Sequence, residues 1–396
     1  MKFSAAIATS RRADEAACAA MTRATERLDG CRPRLAFVFA SASYDDVDSV
    51  PGALARLVGE MPVVGGSAAG AMFEGGVVVK RGILVVLLGG DDVRVAVGAA
   101  PIASPTLIDV VPAVARIREE ANAAASEGFE QALCLGFAPA VGVDGNAFTA
   151  ALRKGAGVHM QLAGALTGDD FTFDRSRVFA DGRAFVNRAV MAGVFSRRPV
   201  GVAARHGCQA AGPARVVTRS EGAWLVELDG RPAVDVWMSD VRAASGNGSS
   251  CDPVDLAASA EKWTIGLETR VQPEAIVRAQ LSQRPGGGML MSAEIAEGAS
   301  VRLMRATRDR VLGAGREAAS LASERLGRGA AGALVLSCAA RLLNLGSRFH
   351  EEPKVMADVL GAPVAGVCVF GEIARGVRDV EAFHNSTTVV VAWPRE

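Results

Sequence analysis

Val63-Val64-Gly65-Gly66-Ser67-Ala68-Ala69-Gly70 is a short apolar strand punctuated by glycine, and the chain holds two counterparts of it. These are Leu162-Ala163-Gly164-Ala165-Leu166-Thr167-Gly168-Asp169 and Val364-Ala365-Gly366-Val367-Cys368-Val369-Phe370-Gly371-Glu372. Each follows, by roughly thirty residues, an apolar run of strand length. The runs are Leu35-Ala36-Phe37-Val38-Phe39-Ala40, Ala132-Leu133-Cys134-Leu135-Gly136-Phe137 and Ala333-Leu334-Val335-Leu336-Ser337-Cys338. An amphipathic helical stretch precedes each run, and a shorter one separates it from the glycine strand. The expected fold class is therefore α/β, with mixed sheets flanked by helices and built from repeated α-β-α-β-β units. Copies meeting edge to edge should leave a cleft lined by their loop tips.

At 396 residues the chain has room for two domains with full cores. Lys plus Arg balances Asp plus Glu at 43 each, so no global field favours nucleic acid or an anionic membrane. Aromatic residues make up only 5%, which suits tight helix–sheet packing better than stacking surfaces. No apolar run of membrane-spanning length is present, and even 77–88 is broken by Lys80-Arg81. The N-terminal apolar stretch is too short for a secretory signal. The seven cysteines are scattered without CxxC or CxxH spacing, which argues for reduced thiols, against a zinc site, and for the cytoplasm.

Helices are expected near 13–28, 52–59, 107–126, 145–154, 303–326 and 353–360. Residues 77–79 and 83–88 should extend the first sheet, and 93–97 should add an edge. Asp181-Gly182 should join strands near 176–180 and 184–195 in a hairpin. The stretch 198–300 differs: 216–218 and 224–228 read as paired strands, 232–241 as a helix, and 244–252 as a polar loop. Ser196-Arg197-Arg198-Pro199 marks a boundary, which gives domains 1–197 and 198–396.

Further landmarks are Leu166-Thr167-Gly168-Asp169-Asp170-Phe171, His206-Gly207-Cys208, Val217-Thr218 and Glu227-Leu228-Asp229-Gly230-Arg231-Pro232-Ala233. Ser337-Cys338-Ala339-Ala340-Arg341, Gly371-Glu372-Ile373 and His384-Asn385-Ser386-Thr387 complete the set. With the first glycine strand and the Asp181-Gly182 hairpin, in this order, they resemble the FIST sensory proteins, which have adjoining FIST-N and FIST-C domains. The resemblance spans nearly the whole chain, although each motif alone is an ordinary small-residue turn. One departure is Cys208 followed by Gln209-Ala210, where many members carry Arg-Pro. The resemblance implies an intracellular, stand-alone sensor of a small ligand, with amino acids proposed for the family in general. Its output would pass to a partner such as a histidine kinase. Some stand-alone members are haem proteins that sense nitric oxide and control such a kinase.

Ser337, Cys338, Arg341, Glu372 and Asn385 stand at strand ends of the third unit, where open sheets favour ligands. Arg341 offers a fork for a carboxylate and Glu372 an acceptor for an amino group. The plainer reading pairs Arg341 with Glu372. Asp169 and Ser67 occupy the matching places in the other units, as ligand contacts or as turn-forming groups. No glycine segment matches GxGxxG or GxxxxGK[ST], so the glycines are read as close backbone approaches rather than phosphate loops. Among the four histidines, His206 is the first candidate for haem iron. Cys338 with His384 and Asn385 would make a nucleophile–base–orienter set, although a strand cysteine is normally inert. The expected function is a cytoplasmic, non-enzymatic sensor of an amino-acid-like metabolite. The alternatives are a haem-based nitric oxide sensor and a cysteine-dependent enzyme.

Overall fold

The structure is a computed structural model that describes residues 1–246, 261–268, 274–375 and 383–396. The repeat is present and longer than the sequence pattern suggests. Unit one runs β1 (Lys2–Ala8), helix Ala13–Glu26, β2 (Pro33–Ser41), helix Val50–Val58, β3 (Val63–Ala68), β4 (Met72–Glu74), β5 (Val77–Val79) and β6 (Ile83–Gly89). Unit two runs β7 (Val93–Pro101), helix Val111–Ser126, β8 (Gln131–Pro139), helix Gly145–Ala156, β9 (Gln161–Thr167), β10 (Val178–Ala180), β11 (Arg183–Phe185) and β12 (Arg188–Ser196). Unit three opens with β13 (Gly201–Arg205) and then takes an insert, β14 (Gln209–Glu221) to β21 (Ser300–Arg305), which carries helix Ala233–Ser245. It resumes with helix Arg308–Leu326, β22 (Ala330–Cys338), helices Ala339–Leu345 and Glu351–Leu360, β23 (Val364–Val369), β24 (Gly371–Arg375), β25 (Phe383–His384) and β26 (Thr388–Pro394).

Three six-stranded sheets have equivalent orders, β1-β6-β2-β3-β10-β11, β7-β12-β8-β9-β24-β25 and β13-β26-β22-β23-β4-β5, and the strands of the insert form a separate sheet. Each consists of four strands from its own unit plus a two-stranded hairpin lent by another. Unit one lends β4-β5 to unit three, unit three lends β24-β25 to unit two, and unit two lends β10-β11 to unit one. The exchange corrects two expectations. Residues 77–79 extend the third sheet rather than the first. The segment expected as one strand over 184–195 breaks after Phe185, so Arg183–Phe185 pairs in the first sheet and Arg188–Ser196 in the second.

The inner faces of the sheets meet in one core, where Phe37 packs edge-on to Phe137 and stacks on Trp393. Helices cover the outer faces and can approach closely because their buried stripes are small. Ala13, Ala16, Ala17, Ala20 and Ala24 face the first sheet, and Ala318, Ala319 and Ala322 the third. The expected helix over 303–326 starts only at Arg308, because Ser300–Arg305 alternates buried and half-exposed positions as a strand of the insert. The insert has its own core around Trp237 and Leu303. Of the expected polar loop 244–252, residues 247–252 lie outside the described residues. Among the described residues no helix is long and apolar enough to cross a membrane.

Candidate functional site

The glycine strands meet at the centre of the assembly. In parallel pairing, Gly65 sits opposite Val38, Gly164 opposite Gly136 and Gly366 opposite Val335. Just beyond, the strands bond to one another in a ring. The Gly168 N–H donates to Ser67 O at 3.1 Å, Phe370 N–H to Leu166 O at 3.0 Å, and Ala69 N–H to Cys368 O at 2.7 Å. Each bond joins equivalent positions of successive units, so the ring fixes where all three sets of loop tips emerge.

Those tips border a cleft of about 530 Å3. Unit one supplies Ser43, Gly70, Lys80 and Arg81, unit two Asp170 and Phe171, and unit three Leu342, Leu343 and Gly346. The size suits a small metabolite. Arg81 lies over the Tyr44 ring and donates to Arg11 O. Partial burial, and then the neighbouring Asp169 charge, raise the Asp170 pKa, with Arg175 opposing. The residue is largely exposed, so water screens the effect and keeps it small. Phe171 and Phe173 both have positive φ, 64° and 56°, an uncommon conformation for bulky side chains. Both rings pack on Phe370, Phe173 stacked at 4.7 Å between centroids and Phe171 tilted at 5.7 Å.

Asp169 holds that loop. It is fully buried, and its carboxylate accepts the N–H groups of Thr172, Phe173, Asp174 and Arg175 at 2.9–3.1 Å. Burial alone would raise its pKa, but the bonds from Arg175, Phe173 and Asp174 outweigh it and keep the group ionised. Ser67 donates to Gly168 O at 2.6 Å and accepts from Arg177 N–H at 2.8 Å, tying unit one to the same loop.

The unit-three candidates are buried and do not line this cleft. Arg341 pairs with Glu352 rather than with Glu372 as expected, and also donates to His206 O and Val311 O. Helix Glu351–Leu360 returns over the strand ends and brings Glu352 to Arg341 and to the Ser337 hydroxyl at 3.4 Å. Burial raises the Glu372 pKa well above the carboxylate range, so the side chain is a neutral acid beside the Cys338 thiol. Burial and then Glu372 hold that thiol neutral, which makes it a poor nucleophile. The Asn385 side-chain oxygen accepts from Ser292 at 2.9 Å. His206 Nδ1 accepts the Cys208 N–H at 2.8 Å, its Nε2 stands 3.9 Å from Glu274 Oε2 without a hydrogen bond, and the residue lines a cavity of about 10 Å3. That space holds about one water molecule and does not fit a porphyrin.

The FIST N domain family model matches residues 34–231 and the FIST C domain model matches residues 233–375. The chain belongs to the FIST family. FIST domains are sensory domains that bind small ligands in signalling proteins. The two FIST models divide the chain at Pro232, whereas the structural units two and three divide between Ser196 and Gly201. No curated protein matches the chain. Among solved structures, a crystal structure of cyanuic acid hydrolase from A. caulinodans is similar at 12% identity, with 100% of this chain and 99% of that chain covered and a TM-score of 0.32.

None of the expected site residues lines the FIST cleft: Ser67 and Asp169 hold its rim loop, and His206, Ser337, Cys338, Arg341, Glu372 and Asn385 stand outside its lining. Lys80-Arg81 was visible only as an interruption of an apolar run, and Asp170-Phe171 only as the end of a motif. Leu342 and Leu343 belong to helix Ala339–Leu345, which sequence reasoning did not expect.

Proposed function

We propose that this FIST protein senses an amino-acid-like metabolite bound in the cleft where its three units meet. The supporting observation is the distribution of groups around that single hollow: two cations from unit one, a carboxylate from unit two, and an apolar wall shared by units two and three. Lys80 and Arg81 suit the ligand's carboxylate, Asp170 its ammonium, and Phe171, Leu342 and Leu343 an apolar side chain. Ser67 and Asp169 position the rim loop, while Ser337, Cys338, Arg341, Glu372 and Asn385 brace the strand ends of unit three. A ligand that contacts all three units favours one arrangement of them through its differential contacts. The Phe171–Phe173 loop, bent into an uncommon backbone and stacked on Phe370, is the element such a ligand would displace. A partner such as a histidine kinase would read the new surface, and no covalent chemistry is required.

Titration calorimetry of the full chain with a panel of amino acids tests this reading. At least one amino acid with an apolar side chain should bind. A charge-assisted hydrogen bond contributes about 1.5–3 kcal/mol, so Asp170→Asn and Lys80→Ala/Arg81→Ala should each weaken binding by about 10- to 100-fold. Binding that ignores both variants, or no binding across the panel, rejects it.

A further inference from the structure

A second cleft, of about 370 Å3, lies between the insert and unit three. Three cations line it, Lys262, Arg305 and Arg308, and among the described residues no carboxylate does. Their partners leave most donors unused. Arg305 lies over the Trp263 ring at 5.4 Å, Arg308 Nε donates to Asn344 O at 3.0 Å, and Lys262 stands 3.8 Å from Glu261. Among the described residues no carboxylate pairs with Arg305 or Arg308. Thr307, also in the lining, caps helix Arg308–Leu326 with extended backbone and no side-chain hydrogen bond. The positive end of a 19-residue helix therefore opens toward the same space as the cations.

An independent feature is Asn344. Its side chain is buried at 6% exposure and stands between this cleft and the one-water cavity beside His206, lining both. The amide nitrogen is engaged, donating to Glu261 O at 2.6 Å and Ala306 O at 3.4 Å, but the amide oxygen has no partner. A buried, unmet acceptor costs about 1–3 kcal/mol. It calls for a donor from whatever enters. Three cations and a helix N-terminus exceed what one carboxylate would use, and the two guanidinium forks match phosphate geometry.

We infer that this cleft is a second ligand site, for a small phosphate monoester that also carries a hydroxyl group. The phosphate is held by Arg305, Arg308, Lys262 and the helix N-terminus, and the hydroxyl donates to the Asn344 side-chain oxygen. This site does not depend on the amino-acid reading of the first cleft. The two clefts share helix Ala339–Leu345 and the turn after it, which give Asn344 to one and Leu342, Leu343 and Gly346 to the other.

Calorimetric titration of the full chain with glycerol 3-phosphate and with inorganic phosphate provides the test. Glycerol 3-phosphate should bind, and more tightly than inorganic phosphate. Arg305→Gln and Arg308→Gln, both exposed positions, should each weaken it at least tenfold without a change in melting temperature. Asn344→Ala should bring the two affinities together, and Lys80→Ala/Arg81→Ala should leave both unchanged. No binding at millimolar concentration, or binding indifferent to both arginine variants, overturns the site. Equal affinities for the two probes in the unaltered protein overturn the role of Asn344.

Discussion

Gly164→Ala tests whether the central ring dictates glycine. Gly164 has φ +147° and lies in parallel pairing opposite Gly136. A Cβ built there would stand 1.9 Å from Gly136 O and 2.8 Å from Gly136 C and N. The obstacle is backbone of the neighbouring strand, so no side-chain rotation relieves it. The equivalent atoms meet Val38 O at 2.0 Å from Gly65 and Val335 O at 2.3 Å from Gly366, so all three units share one close approach. Overpacking costs about 1–3 kcal/mol, and an L residue in that backbone region about 1–3 kcal/mol more. For 396 residues, an unfolding entropy of about 2.1 cal/mol/K per residue converts the sum to a fall in Tm of about 2–7 °C. Gly30→Ala is the control, since Gly30 also has positive φ, 76°, but nothing lies within 4 Å of its Cβ. It pays only the conformational cost of about 1–2 kcal/mol. Differential scanning calorimetry at matched heating rates compares them. If Gly164→Ala melts no lower than Gly30→Ala, the steric argument for the ring is wrong.

Arg341→Met should cost about 3–5 kcal/mol by stranding the buried Glu352 carboxylate, and Arg341→Met/Glu352→Met should recover most of it; denaturant melts of the pair check this. Burial, and then the charges of His384 and Arg341, lower the His206 pKa to about 4, whereas the unfolded value lies near 6.5. Its neutral form therefore supports the fold above pH 6.5, and up to about 3 kcal/mol is lost as pH falls through that window; His206→Phe should flatten this part of a melting-temperature profile. Glu372 works in the opposite sense, because its raised pKa keeps it protonated while the unfolded chain ionises, so stability falls as pH rises above the ordinary carboxylate range. Glu372→Gln should raise the melting temperature at pH 8 relative to pH 4. Asp169→Ala frees four backbone N–H groups, and hydrogen exchange across 170–175 should speed up while exchange in β2 does not change.

What the sequence made legible was local. The glycine strands, the apolar runs before them and the Asp181-Gly182 hairpin are written in residues that sit next to one another, and backbone sterics read them directly. The exchange of hairpins is not written that way. Met72-Phe73-Glu74 is too short and too ordinary to name its partner, and nothing nearby points to β23 in unit three. Arg341 illustrates the same limit at the site. Glu352 and Glu372 are both acidic and both close in sequence, and only the return of helix Glu351–Leu360 selects the former. The cleft rim escaped notice because exposed Lys80, Arg81 and Asp170 carry no periodicity to distinguish them from any solvated turn.

The loan of hairpins from unit to unit also sets a timetable for biosynthesis. Met72 must wait for Val367, about 295 residues downstream, before its strand can pair, and at about 5–20 residues per second that is a delay of about 15–60 s. During that interval the growing polypeptide carries an apolar flap with no resting place, a natural client for holding chaperones. Severing the gene near residue 197 would make the wait permanent, leaving each half with a missing neighbour instead of an independent module.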